Sequence, residues 1–102
     1  MDLSTPTILV ADPNRRFLEK SEAILREEGF HMIAACDGLT ARASIQQRDL
    51  SGVLTNVDLH ELSGWDLCRF IKEEHDPDLP VILMSSEGPD VMRVAESVGA
   101  DN

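Results

Sequence analysis

A chain of 102 residues holds one domain with one modest core. Hydrophobic residues make up 42% and charged residues 27%, ordinary for a globular fold, and the longest apolar runs, "ILVA" and "VILM", are far too short to cross a bilayer. A net charge of −10 sets the surface against DNA, RNA and anionic lipid, and favours a partner with a basic patch or a divalent cation.

The opening "MDLSTPT" has no basic region and no apolar signal core, so no export or targeting segment is expected. "TILVAD", residues 7–12, is a β-branched apolar run without alternation, the pattern of a strand buried on both faces. Asp12-Pro13-Asn14 breaks it. Asp12 is a good N-cap and Pro13 suits a first helical turn, so a helix is predicted to start here. Phe17, Leu18, Ser21, Ile24 and Leu25 recur at helical spacing, and Gly29 is a natural stop. "HMIAAC", 31–36, reads as a second strand ended by a turn at Asp37-Gly38. A weaker helix over 39–48 turns Ala41 and Ile45 inward, and "LSGVLTN", 50–56, is the third strand. After a loop at 57–63, Leu67, Phe70 and Ile71 mark the apolar face of a helix that stops near His75, because Asp76 precedes Pro77. Pro80 opens "VILMS", the fourth strand, and a last helix over 90–98 buries Val91, Val94, Ala95 and Val98 before Gly99.

Cys36 and Cys68 form no CxxC and read as small, partly buried apolar residues of a protein kept in a reducing cytoplasm. His31, His60 and His75 show no metal-ligand spacing. Strands that alternate with helices imply a parallel α/β sheet with right-handed crossovers, and the crevice of such a sheet lies beyond the carboxyl ends of its strands. The residues there are Asp12 and Pro13, then Asn56, then Ser85 and Ser86. Neither GxGxxG nor GxxxxGK[ST] occurs, and "DPNRR" offers no glycine or hydroxyl cradle for a phosphate, which argues against a dinucleotide, nucleotide or flavin site.

Taken in order, "ILVAD", "ACDG", "LTNVDLHELSGWDLCRFIK", "LPVILMSS" and "SVGAD" resemble the receiver domain of bacterial two-component response regulators over nearly the whole chain. The resemblance implies a flavodoxin-like parallel sheet of order 2-1-3-4 in a single receiver-like domain over 1–102, with the family's strand 5 and helix 5 missing. It also implies a chemistry. In the family a strand-3 aspartate takes a phosphoryl group from a histidine kinase, acids after strand 1 help hold Mg²⁺, a Ser or Thr after strand 4 binds the phosphoryl oxygen, and a lysine after strand 5 adds a cation. The new charge then biases a two-state surface.

Carried over by position, Asn56 stands at the phospho-acceptor, where an amide forms no acyl phosphate. Asp12 matches the first acid, but the second is Pro13. Asp58 falls where a backbone carbonyl meets the metal in the family, and Ser85 matches the switch hydroxyl. Lys20 and Lys72 lie inside helices, so the lysine has no counterpart. With Asp12 and Asp58 as weak candidate ligands, no Mg²⁺ cofactor is expected unless the acidic pocket works after all.

The expected function is a phosphorylation-independent protein-interaction module of a two-component pathway, not an enzyme, with a histidine kinase, output or other signalling protein as partner. The alternative is an ordinary phospho-accepting receiver whose aspartate was mutated to Asn56. Pro13 favours the first, since an engineered block would change one residue, not two. The loop 57–63 lacks the family's Met-Pro pair and is expected to be looser, and Trp65 is expected to anchor packing. Without strand 5 and helix 5, an exposed strand 4 edge and apolar surface beside helix 1 imply self-association or segment exchange.

Overall fold

The computed structural model describes residues 5–84. Four short apolar runs form the strands β1 (Thr7–Ala11), β2 (His31–Ala35), β3 (Gly52–Asn56) and β4 (Val81–Met84). Between them lie the helices α1 (Arg15–Glu27), α2 (Gly38–Gln47) and α3 (Gly64–Phe70), the last running into a wider π-helical turn, Ile71–His75. The strands pair in parallel in the order β2-β1-β3-β4, the flavodoxin-like sheet order expected from the sequence. Ser85 and the predicted helix over 90–98 lie outside the described residues.

Because side chains alternate across a strand, the sheet has two different faces. One carries Leu9, Ala11, Val53, Val81 and Leu83, which pack with Ala41 and Ile45 of α2 and with Leu67, Cys68 and Ile71 of the α3 segment. Leu9, Ile45, Leu67 and Ile71 are fully buried, each stabilising the fold by about 1.5–3 kcal/mol. Trp65 and Phe70 pack against the edge of this core, as expected of Trp65. The opposite face carries Ile8, Val10 and Leu54 beneath α1. Beside α1 it holds an apolar groove of about 510 Å³, lined among others by Ile8, Phe17, Leu25, Leu54 and Ile82.

Several local expectations change. The cap of α1 is Asn14, whose side chain accepts from the Phe17 N–H at 3.2 Å, and not Asp12. Pro13 disfavours a helical backbone at the residue before it, so Asp12 stays outside the helix and its carboxylate is free to face the strand tips. Gly29 follows the end of α1 with φ +89°, the left-handed region that suits glycine. Asp37 is a helix cap and Gly38 the first residue of α2, so the predicted turn there is a helix start. Cys36 is exposed, not partly buried, because β2 is an edge strand, while Cys68 is buried. The Asp76 N–H reaches the Ile71 carbonyl at 2.8 Å, five residues back, which widens the end of the third helix into the π turn. Lys72 Nζ then donates to the carbonyls of Leu79 (2.7 Å) and Pro77 (3.2 Å), pinning the connection to β4.

Candidate functional site

A parallel sheet sends its strands out at the same end, so β1 and β3, neighbours in the sheet, deliver Asp12 and Asn56 side by side. Asp12 is only 6% exposed, and both its oxygens are engaged. Oδ1 accepts the Asn14 backbone N–H at 2.8 Å, and Oδ2 accepts the Asn56 side-chain N–H at 3.1 Å. Asn56 Oδ1 in turn accepts the Asp58 backbone N–H at 2.8 Å. A chain of hydrogen bonds therefore runs from the start of α1, through the tips of β1 and β3, into the loop beyond. Asp58 joins this chain by its backbone, and the residue itself is exposed. Pro13, at the second acidic position, is exposed and has no carboxylate.

The loop at 57–63 makes backbone hydrogen bonds along its length. Val57 is buried and extends β3 by donating its N–H to the Met84 carbonyl (3.1 Å). The Gly64 N–H returns to the Val57 carbonyl (3.0 Å), and the Gly38 N–H at the start of α2 donates to the His60 carbonyl (2.9 Å). Ser63 and Asp66 form a reciprocal capping box at the start of α3. A tight turn over residues 60–62, closed by the Leu62 N–H on the His60 carbonyl (2.9 Å), sets Glu61 at φ +75°.

Two glycines make this docking possible. A Cβ on Gly38 would collide with the Leu62 carbonyl and lie 2.5 Å from Leu62 Cβ. A Cβ on Gly64 would collide with the Asn56 carbonyl and lie 2.8 Å from Val57 Cα. Both follow a capping residue in the sequence, in "DG" and "SG", and the reading of the first as a plain turn missed their role. Asp37, which caps α2, has its carboxyl held below the usual carboxylate range. The Thr40 backbone N–H is the main cause, followed by the Thr40 side chain, with smaller help from the Leu39 N–H and from His60.

The arrangement is a tied cluster: one buried carboxylate, one amide and a short loop locked to two helix starts. The apolar groove beside α1 shares none of these residues. Among the described residues, no helix is long and apolar enough to cross a membrane.

A family model described as the response regulator receiver domain matches residues 8–102. Response regulator RR06 of Streptococcus pneumoniae is 33% identical over 81 residues, which cover 79% of this chain and 36% of that protein. The fold is similar to that of the chemotaxis response regulator CheY4 of Vibrio cholerae, with TM-score 0.89 and 18% identity, covering 95% of this chain and 82% of that one. It is also similar to the receiver domain of the sensor histidine kinase PA1611 of Pseudomonas aeruginosa, a structure with a magnesium ion coordinated in its active-site cleft. There the TM-score is 0.83 and the identity 23%, over 96% of this chain and 82% of that one. The chain spans less than half the length of the curated relatives it matches.

Proposed function

Since the chain belongs to the response regulator receiver family, we propose that it serves two-component signalling as a receiver module that binds its partners without being phosphorylated, with Asn56 at the acceptor position. The observation that carries this reading is the state of that amide. A carboxylate at the tip of β3 would offer an anionic oxygen to a phosphoryl group. The Asn56 oxygen is uncharged, and it is already accepting from the Asp58 N–H. The domain is then not an enzyme. It acts by presenting a surface to a histidine kinase, an output domain or another signalling protein.

Mg²⁺ has no part in this proposed state. Mg²⁺ demands near-octahedral oxygen ligands with at least one or two carboxylates. Here a single buried carboxylate faces an N–H donor, and the neighbouring position is Pro13. The acidic chain itself makes no nucleic-acid contact in this reading and works in the cytoplasm, and its charge favours a partner with a basic patch. The 102-residue chain also self-associates. This is supported by the groove beside α1, where Ile24 is 61% and Ile82 is 42% exposed, and by β4, which among the described residues pairs only with β3.

A second reading, an ordinary phospho-accepting receiver whose aspartate was replaced by Asn56, is kept alive by one observation. Asn56 and Asp12 meet at 3.1 Å, so restoring a carboxylate would bring two acids together at the tips of adjacent strands. Incubation with a small-molecule phosphodonor and Mg²⁺ tests the proposal. The chain is expected to keep its intact mass, and a gain of one phosphoryl group would refute the reading.

A further inference from the structure

Asn56 is the point where the tips of β1 and β3 and the following loop converge, and both ends of its amide are used. The Asp58 backbone N–H only donates, so the Asn56 oxygen must face it, and the NH₂ group must then face Asp12. Asp12 is nearly buried, and its other oxygen is taken by the Asn14 N–H. A carboxylate in such a place must be met by hydrogen-bond donors or by a cation. Two facing carboxylates would repel unless a cation lay between them.

We infer that the Asn56 amide is a fixed, neutral stand-in for a divalent cation. It is a positioning residue that supplies the donor Asp12 requires and ties β1, β3 and the 57–63 loop into one arrangement in the presence or absence of metal. This deepens the reading above and rests on it in placing Asn56 at the acceptor position. Through Val57, Gly64 and Gly38 the same tie extends to β4 and to the starts of α3 and α2. The Asn56 side chain therefore joins the 57–63 loop to the strand tips with no metal between them.

Thermal unfolding tests this on the chain and on Asn56→Asp and Asn56→Ala, each in EDTA and in millimolar MgCl₂ matched for ionic strength. The chain is expected to have the same Tm in both buffers. In EDTA both variants melt lower, Asn56→Asp by about 5 °C or more, and Mg²⁺ raises the Tm of Asn56→Asp alone. If both variants melt with the chain in EDTA, or if Mg²⁺ stabilises the unaltered chain, the inference is overturned. A measurement on the unaltered chain covers variants that fail to fold. The Asn56 side-chain NH₂ resonances are expected to stay in place when Mg²⁺ is added, and their displacement at low millimolar Mg²⁺ would overturn the inference. Failure of the functional reading shows separately, as phosphoryl gain by mass, whatever the melting data give.

Discussion

Single side chains give the cluster at the strand tips its chemistry, and the sequence displays most of them. Apolar runs locate the strand tips, and the resemblance to receiver domains marks Asn56 and Pro13 there as departures from an acidic pattern. What the sequence does not display is the direction of a hydrogen bond. Asp12 could equally have capped α1, and only the fold shows that Asn14 does so while Asp12 turns to Asn56. Asp37 illustrates the same point on the other side of the site. Its carboxyl is held below its ordinary value near 3.8 by the Thr40 N–H. A depressed carboxyl contributes stability above its unfolded pKa and loses it as the pH falls through the folded one. Asp37→Asn keeps an oxygen for the cap but does not titrate. Acid unfolding followed by circular dichroism should therefore show a steeper loss of stability below about pH 4 for the chain than for Asp37→Asn. Parallel curves would remove Asp37 from the account.

Elements were legible to the extent that their residues follow a simple period. The strands and α1 through α3 lie close to where apolar spacing puts them, because a parallel sheet covered by helices buries its strands and one stripe of each helix. The parts that were not legible depend on contacts between segments distant in sequence. Gly38 looks like a turn residue until Leu62 is found against it, and no local pattern announces that the His60 carbonyl receives the Gly38 N–H at the start of α2. The π turn after α3 has the same cause, since Lys72 and Asp76 reorganise the helix end around the connection to β4. These close approaches leave no periodic trace. They do make a prediction at the level of the α2 and loop pair. Gly38→Ala forces the Leu62 backbone away and should destabilise the fold by about 1–3 kcal/mol, measured by urea denaturation. A change within about 0.5 kcal/mol would mean that the loop yields freely.

At the scale of the whole molecule, the two faces of the sheet differ. The α2 and α3 face is closed over a continuous core, while among the described residues the face beneath α1 leaves an apolar groove open beside β4. Exposed apolar surface of this kind drives association. The chain is expected to shift toward dimers or larger species with rising concentration in light scattering coupled to gel filtration. Ile24→Glu, placing a charge on the groove rim, should restore the monomer. A chain that stays monomeric across the same range would refute the association. The proposed function depends on a different part of the molecule, the amide at the tip of β3. The most direct measurement is the intact mass of the chain and of Asn56→Asp after incubation with a small-molecule phosphodonor and Mg²⁺. No mass gain on the chain is the predicted result. Gain by Asn56→Asp alone would show that the amide is the whole block. Gain by neither would show that the pocket is disabled beyond Asn56, with Pro13 at the second acidic position the first cause to test. A phosphoryl group on the unaltered chain would contradict the account, and Asp58 would be the first residue to examine.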